Sequence, residues 1–490
     1  KAGGSIDVAD DTYVKNFQEM AIQWMRDYRV NYWKWDGFAD SGQYNAFPSG
    51  EGVVGYSETN RHMYGGVNGY YHSTDLWEKW IVLMENVRDE ADALGIDDLW
   101  ISLTCYVNPS PWFLQWANSV WMQCTADRGE RSNGVLTDKM NTMLTYRDGA
   151  YYDFIINHQF QFPLSNIYNH DPIYGKEDTG ITASSMNGEE FRNYLFMQGT
   201  RGTAFWELYY SDSIFDEEKY LVNADFLEWA EDNYDLLRNA KMIGGTPSST
   251  ATLASGTSGN AGNQEAYGFS CFNGNEGIIS MRNPAAVEKT LTFTLNEAAG
   301  VTVDGTYYMT PDHTYKSSVS GKTSYRKGET INVTLQPGET QIWHFSQSAD
   351  TDAAVIENIY AQGEADHVRV HTSEHVNGTP EVTVTVNGKK VSAQITKSYA
   401  DQRSFDITLS EKMNSGDTVE VTMTKATDAA GNQMNSSAST RYYKDNLIAE
   451  TASVNGSTEI AGADASVTGK NGFAVSAAVA TDDRNTVLIS

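Results

Sequence analysis

A chain of 490 residues exceeds one ordinary domain, and a prior of roughly 150 residues per domain predicts about three. Its 35 basic and 64 acidic side chains leave a formal charge of −29, which repels nucleic acid and anionic lipid and excludes a polyanionic partner. Aromatics make up 12% of the residues, and Trp and Tyr crowd into the first half, where flat faces suit either a core or a carbohydrate cleft. The three cysteines, Cys105, Cys124 and Cys271, imply no disulfide framework. No stretch approaches the roughly 18 apolar residues of a membrane span, and no basic-then-apolar leader opens the chain.

Up to residue 243, helical and short apolar segments alternate, the pattern of βα units around a parallel sheet. Val14, Phe17, Ala21, Trp24 and Tyr28 recur at helical spacing behind an Asp10/Asp11/Thr12 cap, and the strand VNYWKWDG follows. A second helix is expected from an Asp75 to Glu78 capping box to Gly95, with the strand LWISLTC directly after it. Three more strands fit SVWMQ from Ser119, the FIINHQF to FPLSNIY region, and TAFWELYY from Thr203, with helices near 138–146, 189–196 and 216–238. Five strands leave an eight-stranded (β/α)8 barrel three short. The expectation is therefore a C-terminal part of such a barrel over 1–243, strands four to eight, completed by an upstream segment or a second chain.

After Gly244 and Gly245 the composition turns to Ser, Thr, Gly and Asn, and GIISMRN, KTLTFTL, TINVTL and QIWHF read as an antiparallel β-sandwich over 244–346. An Ig-like β-module is expected over 353–445. Asn387-Gly388 marks a hairpin within it, and TDAAGNQM resembles the last loop of bacterial Ig-like modules. Residues 446–490 read as a partial β-module or a tail.

Parallel barrels carry reactive groups at the C-terminal ends of their strands. Asp36 closes YWKWD, and Lys34, two residues earlier on the same strand face, would hold the carboxylate ionised or bind a sugar hydroxyl. A strand-end Asp also serves as a loop cap. Glycoside hydrolysis needs a second carboxyl group from another strand end; Asp127, just past VWMQ, is the candidate, and Arg128 and Arg131 either tune it or simply pair with it. Glu207 and Asp153 are further strand-end acids. His62, His72 and His170 share no metal-ligand spacing, so no metal and no cofactor is expected. The absence of a GxSxG elbow sets aside a Ser-His-Asp hydrolase.

Together these segments resemble the melibiase clan of retaining α-galactosidases and α-N-acetylgalactosaminidases, glycoside hydrolase families 27 and 36. YWKWDG looks like the clan's fourth-strand segment, so the resemblance gives Lys34 substrate binding and Asp36 nucleophilic attack. WISLTCYVNP is similar to the fifth-strand segment with its sugar-facing Cys, here Cys105. Trp121 to Arg131 resembles the acid/base strand and loop ending in Glu-Arg. FPLSNIYNHDP resembles the seventh-strand segment, and GTAFWELYYSDSIFDEEKY, which contains Trp206, the last. The substrate-contacting set so implied is Trp33, Lys34, Cys105, Arg131 and Trp206. An ungapped register puts Cys124 in the acid/base column, and a small shift brings Asp127 there. The first register favours a non-catalytic carbohydrate-binding or adhesin-type surface protein, the second a retaining hydrolase of α-linked galactose or N-acetylgalactosamine. Either is expected in a secreted or cell-surface bacterial setting.

Overall fold

The computed structural model describes residues 10–36, 66–104, 111–121, 136, 138–157, 159, 162–174, 186–202, 205–210, 215–247, 264–319, 321–444, 466–468, 474–479 and 487–489; of 36, 66–76, 169–174, 205–207, 209–210 and 466 onward it describes the backbone course alone. Two compact units divide the chain: Lys1–Phe215, Phe226–Tyr307 and His313–Gln347 form the first, and Asp216–Asp225, Tyr308–Asp312 and Ser348–Ser490 the second.

In the first unit, helix α1 (Asp11–Tyr28) starts where Asp10 accepts the Tyr13 amide at 3.0 Å and stops at Arg29, whose φ of 57° is left-handed. Helix α2 (Gly66–Leu94) begins nine residues before the expected Asp75, and it ends as expected at Gly95, with φ of 63°. Its Leu83, Val87 and Ala91, at helical spacing, are buried. Arg26 of α1 donates to both carboxylate oxygens of Glu90 on α2 at 2.7 Å, a two-point pairing that fixes the register of the two helices.

Strands β1 (Tyr32–Asp36), β2 (Trp100–Thr104), β3 (Ser119–Trp121), β4 (Ile167–Tyr174) and β5 (Phe205–Tyr210) form one parallel sheet in chain order. Helices α3 (Lys139–Tyr152), capped by Asp138, and α4 (Gly188–Gly199), opened by an Asn187/Glu190 capping box, fall between strands. Asp153, expected at a strand end, instead begins a π-helical turn (Asp153–Asn157) after α3, where its Oδ1 accepts from Asn157 Nδ2 at 2.9 Å. The first four residues of the run FIINHQF, 154–157, continue the helix instead of starting a strand. A closed eight-stranded barrel is not present among the described residues.

Helix α5 (Glu217–Asp232) and the short α6 (Tyr234–Leu237) divide the long helix expected over 216–238, with the break at Asn233. β6 (Ala240–Gly244) then leaves the parallel pattern and pairs antiparallel with β7 (Tyr267–Asn273). With β8 (Glu276–Arg282), β10 (Thr306–Tyr315), β11 (Ser324–Arg326) and β13 (Thr340–Ser346) they make a six-stranded sheet, while β9 (Lys289–Thr294) pairs with β12 (Thr330–Leu335). Alternation is strict in β12: Ile331, Val333 and Leu335 are buried and the residues between them exposed.

A buried polar cluster joins α3, the C-terminal end of α4 and this sheet. Arg201 Nε donates to Asp148 Oδ1 at 2.6 Å, and the Tyr267 hydroxyl donates to Asp148 Oδ2. Arg282 donates to the Tyr267 oxygen at 2.9 Å and to Asn141 Oδ1 at 2.8 Å. All five side chains are buried, so the charges are desolvated and each depends on its partners.

In the second unit two antiparallel sheets face each other over one core. The first holds β14 (Ile356–Tyr360), β15 (His367–Thr372), β19 (Ser404–Leu409) and β18 (Ala393–Ser398); the second holds β17 (Lys389–Val391), β16 (Glu381–Val386), β20 (Thr418–Thr427) and β21 (Gln433–Arg441). Val368, Val370, Phe405, Ile407, Val419, Val421 and Met423 fill the space between them. Asn387 and Gly388, at φ of 50° and 77°, make the two-residue turn that the Asn-Gly pair requires. Beyond residue 446 three short strands, Ser466–Thr468, Ala474–Val479 and Val487–Ile489, pair antiparallel.

Candidate functional site

The two faces of the parallel sheet differ in chemistry. On one, Trp33, Trp35, Ile101, Leu103, Val120 and Ile167 join Ala21, Met25, Trp80 and Leu83 in the core beneath α1 and α2. The register of the strands puts Lys34, Ser102, Thr104, Ser119 and Tyr168 on the other. That face is a lattice of hydroxyls. Ser102 and Ser119 share a hydrogen bond at 2.6 Å, Trp100 Nε1 donates to Ser119 at 3.0 Å, and the Thr104 and Tyr168 hydroxyls are hydrogen-bonded. The Lys34 ammonium lies 5.7 Å from the centre of the Tyr168 ring, a cation over an aromatic face two strands beyond its neighbour.

Asp36 closes β1 opposite Thr104, and alternation assigns position 36 to the same face as Lys34. On β4 and β5, His170 pairs with Glu207, two residues past the row that Asp36 occupies and still within their strands. Asp36 alone of these three closes its strand, at the edge where parallel α/β folds hold ligands. The side chains of Asp36, His170, Trp206 and Glu207 lie outside the described residues, as do Cys105, Cys124, Asp127, Arg128, Arg131 and His62 in their entirety.

Trp33, expected to line a sugar site, lies on the helix-facing side, buried, with its ring 6.3 Å from that of Trp24 and 6.2 Å from that of Trp35. Period-two alternation is the reason: a residue three positions before Asp36 must point to the opposite face.

A second cleft, about 720 Å³ in volume, lies within the second unit and is lined by Glu217, Tyr360, His367, Arg369 and Asp406, among others. Its polar groups are spent on one another. Arg369 donates to Asp406 Oδ1 at 2.7 Å and to Glu217 Oε1 at 2.6 Å, and Tyr399 donates to Asp406 Oδ2 at 2.6 Å. The Arg369 hydrogen bond holds the Glu217 carboxyl below its ordinary range against burial. The Asp406 carboxyl is also held low: burial pushes it upward, and the hydrogen bonds from Arg369 and Tyr399 outweigh that push. This arrangement is an internal clasp that stabilises the unit.

No protein-family model matches the chain, and no curated protein matches it. Among solved structures it aligns with an α-galactosidase from Saccharomyces cerevisiae at 9% identity, over 67% of this chain and 74% of that one, with a TM-score of 0.37. It aligns with a maltogenic α-amylase from Thermotoga neapolitana at 11% identity, over 70% and 68%, at 0.37. A candidate α-N-acetylgalactosaminidase from Bacillus halodurans gives 11% identity over 70% and 64%, also at 0.37. Superpositions this loose assign neither a family nor an activity. Among the described residues no helix is long and apolar enough to cross a membrane.

Proposed function

We propose that this chain carries the active site of a retaining α-glycosidase acting on α-linked galactose or N-acetylgalactosamine, in a secreted or cell-surface bacterial protein. The observation that carries the reading is the polarity of the parallel sheet. One face packs against α1 and α2, while the face of Lys34 carries the buried hydroxyls of Ser102, Thr104, Ser119 and Tyr168, and Asp36 closes β1 at its C-terminal end. In the proposed reaction the Asp36 carboxylate attacks the anomeric carbon as the glycosidic C–O bond breaks, and Asp127 protonates the departing oxygen. Asp127 then removes a proton from water, which displaces the Asp36 ester and regenerates both carboxyl groups. Lys34 holds the Asp36 carboxylate ionised and donates to a sugar hydroxyl, and Cys105, Arg131 and Trp206 complete the substrate set. Among the described residues β1 and β5 each pair on one side only, which supports a barrel completed by further strands, from an upstream segment or a second chain.

Hydrolysis of aryl α-galactoside and aryl α-N-acetylgalactosaminide by the intact protein tests the reading. Turnover of one of them, abolished by Asp36→Asn, is expected. Saturable binding of these sugars without turnover in the unaltered protein would instead favour the carbohydrate-binding alternative.

A further inference from the structure

Three carboxylates from separate segments of the second unit converge at one end of its sandwich. Asp350 precedes β14, Glu374 lies two residues past β15, and Asp428 directly follows β20. One carboxylate oxygen from each lies within 4.8 Å of the other two. Asp428 is fully buried. Its Oδ1 accepts from the backbone amides of Gly431 at 2.7 Å and Asn432 at 2.9 Å, whereas Oδ2 is buried with no hydrogen-bond partner. A buried carboxylate oxygen without a partner, on a residue grouped with two further carboxylates, is unfavourable unless a cation or a proton neutralises it.

Among the described residues the guanidinium of Arg403 is shared with groups outside the cluster: Nε donates to the Thr372 carbonyl at 2.9 Å, and Nη1 lies 3.6 Å from Asp225 and Nη2 3.4 Å from Glu357.

We infer that Asp350, Glu374 and Asp428 form a binding site for a hard divalent cation, and that calcium is the ion they fit. Every donor is a carboxylate oxygen, with no thiolate or imidazole to select zinc. Oxygens bound to one Ca²⁺ at about 2.3–2.6 Å stand at most about 5 Å apart, which covers the observed spread. Mg²⁺ keeps more of its water and usually takes one or two carboxylates rather than three. The bound ion would fasten the first segment of the module to the loops after β15 and β20. Asn432 already joins two of these, its Nδ2 donating to the Asp352 carbonyl at 2.9 Å. Sequence spacing gives no sign of the site because its ligands lie in three distant segments, and the TDAAGNQM loop supplies only one of them.

Titration calorimetry of the full chain, residues 1–490, with CaCl2 after chelator treatment tests the assignment. Saturable one-site binding with a dissociation constant of about 0.1–1 mM is expected, the range of extracellular calcium modules, along with a calcium-dependent rise in the unfolding midpoint. Asp428→Asn keeps the Oδ1 acceptor for the two amides but removes the charge; it and Glu374→Gln should each weaken binding at least about tenfold. Should the buried Asp428 variant fail to fold, the half-buried Glu374 variant decides. No saturable binding up to about 10 mM CaCl2, ten times the upper limit of that range, would overturn the inference. So would undiminished binding in the variants, or tighter binding of ZnCl2 or MgCl2 than of CaCl2.

Discussion

Asp148→Ala removes the anion on which the buried cluster of the first unit depends. Asp148 and Arg201 are 0% and 1% exposed, so the substitution strands a guanidinium that solvent does not reach and takes the acceptor from the Tyr267 hydroxyl. Burial first, and Asp148 with it, raises the Tyr267 phenol far above its ordinary range, against the influence of Arg282. The phenol therefore remains protonated and cannot replace the lost charge. Breaking a buried pair from one side costs about 3–5 kcal/mol. At about 2.1 cal/mol/K of unfolding entropy per residue, a unit of this size, Lys1–Phe215, Phe226–Tyr307 and His313–Gln347, shifts by about 1.4 °C per kcal/mol, so its unfolding midpoint should fall by about 4–7 °C. Differential scanning calorimetry of parent and variant reads this directly. Asp148→Leu combined with Arg201→Met should recover more than half of the loss, because it removes both charges and fills the volume. A single variant melting within about 1.4 °C of the parent, a loss of about 1 kcal/mol or less, would refute the reasoning.

Four further outcomes follow. Asp36→Asn, nearly isosteric at a strand end, should abolish turnover while leaving the calorimetric midpoint of the first unit unchanged. Asp127→Ala should slow hydrolysis of natural substrates far more than that of aryl glycosides with good leaving groups, which need little protonation; steady-state kinetics on both classes would show equal losses if Asp127 is not the acid. Gly268→Ala would place a Cβ 1.7 Å from the Ser280 carbonyl oxygen, so the variant should lose the native near-UV circular dichroism of the sandwich, and unchanged spectra would contradict the packing. Glu217 and Asp406 have folded pKa values below their unfolded ones, so their contribution is present above pH about 4, the ordinary carboxylate value, and is lost as pH falls through the lower folded values. Arg369→Met should accordingly destabilise the second unit more at pH 7 than at pH 3, measured by thermal unfolding.

What the sequence discloses follows from how local each signal is. Asp10, Asp138, Gly95 and the Asn387-Gly388 pair act on their immediate neighbours, so the caps and turns they mark are where the residues alone point. The start of α2 at Gly66 was hidden because Gly-Val-Asn-Gly has poor intrinsic helicity and no capping box, and helix there depends on context beyond the segment itself. FIINHQF carries a strand-like composition, yet its residues 154–157 directly continue α3. The candidate site divides along the same line. Lys34 and Asp36 are legible as an i, i+2 pair on one strand, whereas Tyr168 and Thr104 join them only through inter-strand register, which no single segment encodes. Trp33, next to Lys34 in sequence, falls on the opposite face because the face reverses at each strand residue.

The nucleophile is the centre of the account, and covalent trapping tests it most directly. The intact protein would be incubated with an activated fluoroglycoside of α-galactose configuration, digested, and its peptides analysed by tandem mass spectrometry. A single glycosyl adduct mapped to Asp36, absent in Asp36→Asn, is the predicted result. An adduct on Glu207 or any other carboxylate, or turnover with inversion at the anomeric carbon and no adduct, would contradict it.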